Sequence, residues 1–142
     1  MARQCEFTNE IKRHQMKIEH IAMWVSDIEE MRQFYEWYFN AKSGKKYVNL
    51  KKNFTSCFLS FDEGSRLELM QKPQISRLVN QEEHLGYIHF AISVGSKEKV
   101  DSLTKKLRQD GFEITGEPRT TGDGYYESVV LDPEGNRIEI TI

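Results

Sequence analysis

Ile18-Glu19-His20-Ile21-Ala22-Met23-Trp24-Val25-Ser26-Asp27 and Tyr87-Ile88-His89-Phe90-Ala91-Ile92-Ser93-Val94-Gly95-Ser96 share one pattern: histidine, an apolar residue, alanine, an apolar residue, any residue, valine. The second stretch follows the first at an offset of 69 residues, counted from His20 to His89. Downstream, Gly64-Ser65-Arg66-Leu67-Glu68-Leu69 matches Gly135-Asn136-Arg137-Ile138-Glu139-Ile140 at an offset of 71. From histidine to glutamate is therefore 48 residues in one copy and 50 in the other, so the same elements in the same order must fill both intervals. The chain reads as a duplication.

Each copy opens on a strand. In the first, Ser26-Asp27-Ile28-Glu29 has the form of a capping box, and apolar residues follow at helical spacing (Ile28, Met31, Phe34 or Tyr35, Tyr38), which predicts a helix over about 27–39. In the second, a helix follows Ser96, carries Val100, Leu103 and Leu107, and stops at Gly111. Strands are then expected over 47–50, 54–61 and 66–70, mirrored by 112–115, 125–131 and 137–141. Asp132-Pro133-Glu134-Gly135 suits a type I turn between the last two. The reading is an α+β fold of two tandem βαβββ modules forming a curled mixed sheet. Residues 1–15 form an arm or leader and 16–142 a single domain, with module one over 16–72, a linker over 73–86 and module two over 87–142.

Composition bounds the function. The chain has 142 residues, 20 Lys+Arg against 22 Asp+Glu, and a formal net charge of −2, which gives no basic footprint for nucleic acid or an anionic membrane. No apolar run approaches a membrane span and no signal peptide is evident, so the expected location is cytoplasmic and the expected partner a small molecule. The 16 aromatic residues (2 Trp, 6 Tyr, 8 Phe) supply material for a core. Cys5 and Cys57 are too few for a disulfide framework and receive no role. His14 and His84 fall in polar stretches and read as solvated.

Strand alternation sorts the remaining ionisable groups. Ile21, Met23 and Val25 share one face and His20, Ala22 and Trp24 the other; Ile88, Phe90, Ile92 and Val94 oppose His89, Ala91 and Ser93. Leu67, Leu69, Ile138 and Ile140 fall on apolar faces, and Glu68 and Glu139 opposite them. Both histidines and both glutamates thus point away from the helix-covered core, and a sheet curling on itself would gather them in a cup. Two carboxylates close together resist ionisation unless a cation lies between them. A divalent ion resolves that conflict, and two imidazoles with two carboxylates suit Zn, Ni, Co, Mn or Fe.

The duplicated modules, IEHIAMWVSDIEEMRQFYEWYF (18–39), RLELM (66–70), GYIHFAISV (86–94) and LDPEGNRIEITI (131–142) resemble the vicinal-oxygen-chelate superfamily of glyoxalases, bleomycin-resistance proteins and extradiol dioxygenases. The resemblance covers residues 16–142. It implies metal ligands at His20, Glu68, His89 and Glu139, the His, Glu, His, Glu set of glyoxalase I (lactoylglutathione lyase), and it implies a homodimer whose modules pair edge to edge. The implied chemistry is proton transfer on a hydroxy-carbonyl compound, with Glu139 as the base and Glu68 the alternative. Trp24 and Lys72 depart from the Arg and Asn of glutathione-using bacterial members, which leaves open another thiol adduct or a small carbonyl compound. Arg66, Arg137 and Lys72 are candidate carboxylate anchors, and 119–126 is a candidate lid. The competing readings are a fosfomycin-type resistance enzyme and a metal-free drug- or metabolite-binding protein of bleomycin-resistance type.

Overall fold

Both copies fold as strand, helix and then antiparallel strands, in a computed structural model that describes residues 17–76 and 87–142. The expected arm, most of the linker, and Cys5, His14 and His84 lie outside the described residues. Module one runs β1 (His20–Trp24), α1 (Ile28–Phe39), β2 (Lys42–Ser43), β3 (Tyr47–Asn49), β4 (Phe54–Ser60) and β5 (Arg66–Gln71). Module two runs β6 (Phe90–Ser93), α2 (Lys97–Gln109), β7 (Ile114–Thr120), β8 (Tyr126–Leu131) and β9 (Arg137–Thr141). The first strand of each module pairs parallel with the last, β1 with β5 and β6 with β9, and the remaining pairs are antiparallel.

Three local outcomes differ from the sequence expectation. Asp27, not Ser26, caps α1: its Oδ1 accepts from the Glu29 and Glu30 amides at 2.9 and 3.0 Å. The Ser26 and Asp27 amides instead donate to Glu134 Oε1 at 2.6 and 2.9 Å. The outer strand of module one is broken into β2 and β3, both paired with β4. Its counterpart β7 continues to Thr120 through Pro118, which an edge strand tolerates because no neighbour needs the missing amide. Arg119 and Thr120 therefore belong to a strand. Residues 121–125 make a hydrogen-bonded hairpin turn, with the Thr121 amide donating to the Tyr125 carbonyl at 2.8 Å.

Alternation held within the strands, but Ile88, expected on the covered face, precedes β6 and is exposed. Leu67, Leu69, Ile138 and Ile140 are buried against the helices, whereas His20, Ala22, Trp24, Ala91 and Ser93 are exposed on the opposite faces. Cys57 is buried in the core with its thiol free and pushed up by that burial. One apolar core runs through both modules. Helix α1 is the joint: Phe34 stacks on Phe112 at 4.9 Å and Tyr38 on the same ring at 5.2 Å, both across the module boundary. The buried Tyr35 hydroxyl donates to Asp132 Oδ2 at 2.8 Å. Asp132 in turn holds its own turn by accepting from the Glu134 and Asn136 amides at 3.0 and 2.9 Å.

That hydroxyl is the one buried hydrogen bond from α1 to a carboxylate of module two seen among the described residues. Tyr35→Phe keeps the ring and deletes the donor, so it should destabilise the chain by about 1.5–3 kcal/mol, the range for bonds to charged groups. Urea denaturation read by tryptophan fluorescence measures this, and an unchanged midpoint would show that the bond does not join the modules.

Candidate functional site

The parallel pairing of first and last strand places the chemistry. In module one, Ala22 lies opposite Glu68. In module two, Ala91 lies opposite Glu139 in the same register. Each histidine sits two residues before that alanine on the same face, diagonal to the glutamate, and the alanine's short side chain leaves the diagonal open. His20 Nε2 lies 3.8 Å from Glu68 Oε2, and His89 Nε2 is in direct contact with Glu139 Oε2. The histidine side chains are 40% and 39% exposed and both glutamates 15%, so the imidazoles are partly open to solvent and the carboxylates sheltered.

The four residues come together as two pairs, not as one cluster of four. Among the described residues, no group of three or more His, Cys, Asp or Glu side chains is placed to hold a metal within one chain. The strands form two sheets, ordered β1-β5-β4-β2 and β6-β9-β8-β7, and each ends on its histidine-bearing strand. Both half-sites thus lie at sheet edges.

The surroundings of the two pairs differ. At the first, Glu19 Oε2 accepts from His20 Nδ1 at 2.5 Å, and its Oε1 accepts from Arg66 at 2.6–2.7 Å. The bond from His20, followed by that from Arg66, holds the Glu19 carboxyl below its ordinary range. Arg66 lies 4.0 Å over the Phe58 ring, whose edge meets His20 at 5.3 Å. Arg66 is therefore engaged rather than an open anchor. Lys72 likewise lies 5.0 Å over Trp24 at the far end of the same face.

At the second pair, Glu127 of β8 faces Glu139. Hydrogen bonding to that carboxyl first, then partial burial and the charge of Glu139, push the Glu127 carboxyl up to about 7. Arg119 approaches Glu127 at 3.9 Å without cancelling this. Sequence reasoning missed both Glu19 and Glu127. Alternation along 125–131 puts Glu127 on the face of Glu139, since Val129 lies opposite Glu139, so its signal was present. Glu19 precedes β1 and no face rule reaches it.

Known proteins share this fold. The sequence signature of the Glyoxalase/Bleomycin resistance protein/Dioxygenase superfamily matches residues 17–140. The chain is 28% identical over 127 residues to the uncharacterized protein YqjT of Bacillus subtilis (strain 168), covering 85% of this chain and 94% of that one. It is 25% identical over 130 residues to lactoylglutathione lyase GLX1 of Arabidopsis thaliana, covering 91% of this chain and 45% of that one, so it spans under half of that enzyme. Its fold matches the trypanothione-dependent glyoxalase I of Leishmania major with a TM-score of 0.71 at 23% identity, over 89% of this chain and 86% of that one. It matches a glyoxalase family protein from Enterococcus faecalis with a TM-score of 0.73 at 23% identity, over 89% and 97%. No helix among the described residues is long and apolar enough to cross a membrane. With its two βαβββ modules and paired His and Glu half-sites, the chain belongs to the Glyoxalase/Bleomycin resistance protein/Dioxygenase superfamily.

Proposed function

We propose that the protein is a divalent-metal-dependent lyase or isomerase of glyoxalase I type, acting by proton transfer on a small carbonyl compound or its thiol adduct. The repeated half-site supports this reading: in each module an imidazole nitrogen and a glutamate carboxylate meet on an exposed face beside a sheet edge. Each half offers one nitrogen and one carboxylate, and two halves make a set whose two negative charges match a dication. Because the halves do not meet within one chain, module one of one copy lies beside module two of a second, and His20, Glu68, His89 and Glu139 hold the ion between them. The edges of β1 and β6 also favour such pairing, since among the described residues their outward peptide groups have no strand partner.

A bound divalent ion would polarise the oxygens of a hydroxy-carbonyl substrate and so acidify the carbon-hydrogen bond beside them. Glu139 takes that proton as the carbon-hydrogen electron pair moves toward the carbonyl, then returns it to the adjacent carbon while the hydroxyl proton passes to the former carbonyl oxygen, so the net change is an isomerisation. Glu127 supports Glu139 over Glu68 as the base, because a carboxyl neighbour can share a proton with it, whereas Glu68 lies opposite Phe58. Trp24 and Lys72 form an aromatic and cationic pair at the end of the module-one face, so thiols other than glutathione belong in any substrate screen.

The experiment is metal analysis of the purified protein alongside turnover of 2-oxoaldehyde hemithioacetals built on several thiols. Glu139→Gln should keep metal and lose turnover by about 10²- to 10⁴-fold, since an amide oxygen coordinates but accepts no proton. His20→Ala should lose metal itself. Full rate in both Glu139→Gln and Glu68→Gln would remove proton transfer by a glutamate ligand, and metal-free protein that binds ligand tightly would favour sequestration. Light scattering should return the mass of two chains, and the mass of one would refute the shared centre.

A pH measurement addresses the carboxyl pair. Glu127 lies above the ordinary 4.5, so the shared proton contributes stability that is complete below about 4.5 and lost as pH rises through about 7. In Glu127→Gln the amide can donate to Glu139 at any pH. In chelator-treated protein the parent's denaturation midpoint should therefore fall relative to that variant between roughly pH 5 and 8. A difference independent of pH would show that no proton is shared.

A further inference from the structure

The two half-sites are not equivalent, and the difference centres on the residue before each histidine: Glu19 before His20, Ile88 before His89. Glu19 is anchored three ways. Its carbonyl accepts the Arg66 amide at 2.9 Å, its Oε1 accepts the Arg66 guanidinium, and its Oε2 meets His20 Nδ1 at 2.5 Å. An ionised carboxylate only accepts, so Nδ1 is the donor and carries the proton. The same guanidinium rests on Phe58, whose edge packs on the imidazole. Glu19, Arg66, Phe58 and His20 thus form a closed ring of contacts around one imidazole. The offset of 71 puts Arg137 and Val129 at the positions of Arg66 and Phe58, so module two keeps the arginine but lacks both the carboxylate and the aromatic ring.

We infer that Glu19 is a positioning residue for His20: it fixes the proton on Nδ1 and so presents Nε2, the nitrogen facing Glu68, as a ready donor to a metal ion. The metal part of this inference rests on the proposed ligand set. A carboxylate behind a ligating histidine orients the ring and raises its basicity, and removing it typically costs about 10- to 100-fold in metal affinity. Half-site one is therefore pre-organised by the protein, while His89 depends on its contact with Glu139 alone among the described contacts. Glu19 is half-exposed at the sheet edge, so its replacement should not disturb the core.

Two measurements on the full chain test this. In metal-free protein at mildly alkaline pH, where a free imidazole is neutral, long-range proton-nitrogen NMR should show His20 as the Nδ1-protonated tautomer. In Glu19→Leu it should revert toward the Nε2-protonated form, while His89 is unmoved. In the second measurement, cobalt is titrated against a chromophoric chelator. Glu19→Leu should weaken binding by about 10- to 100-fold and alter the cobalt absorption spectrum, with Glu19→Gln, which keeps an acceptor oxygen, falling between it and the parent. Unchanged His20 tautomers in Glu19→Leu would overturn the inference whatever the metal result. Unchanged cobalt affinity and spectrum, in a parent that binds cobalt, would overturn its metal part. A parent that binds no cobalt would instead overturn the proposed ligand set and leave the tautomer result to decide the role of Glu19.

Discussion

The parallel register between the first and last strand of each module is the constraint from which the site follows. Ala22 opposite Glu68 and Ala91 opposite Glu139 set each histidine on the diagonal of its glutamate. A slip of one residue would send every side chain of the strand to the other face, burying a histidine and exposing Ile21 or Phe90. The apolar alternation that builds the core thereby also protects the polar pair on the opposite face, and neither can drift without the other. Alanine matters for the same reason: a larger side chain there would fill the space through which carboxylate and imidazole approach.

Helix α1 does for the two modules what that register does within each. Its buried face carries Ile28, Met31, Phe34, Tyr35 and Phe39, which serve module one's sheet and the aromatic contacts to Phe112 and Phe90 together. Burial of these rings is the main gain, and the Tyr35 to Asp132 bond makes the contact specific, because each buried polar group needs its particular partner. The β8 to β9 turn is held by the same Asp132, so module two's last strand and module one's helix are coupled through one carboxylate.

Duplication supplied two similar half-sites, and their neighbours have diverged. One histidine has a carboxylate behind it; the other half instead has a second carboxyl beside its glutamate, able to share a proton with it. A rigid donor and a proton-exchanging carboxylate make opposite demands on their surroundings.

Period-two alternation and the repeat offset were enough to read from the sequence the βαβββ order, the buried faces and the placing of His20, Glu68, His89 and Glu139 on the faces opposite them, because these are properties of single strands and of local spacing. The same alternation held Glu127, which the strand over 125–131 already placed beside Glu139. Asp27 as the cap and the reach of β7 past Pro118 were decided by tertiary contacts: Glu134 takes the Ser26 and Asp27 amides, and an edge strand has no neighbour to miss a proline amide. Glu19 could be recognised only once the start of β1 was laid beside Arg66, 47 residues away in the chain. That the two His and Glu pairs lie apart within one chain depends on how the two sheets are placed about α1, which no strand's own pattern encodes.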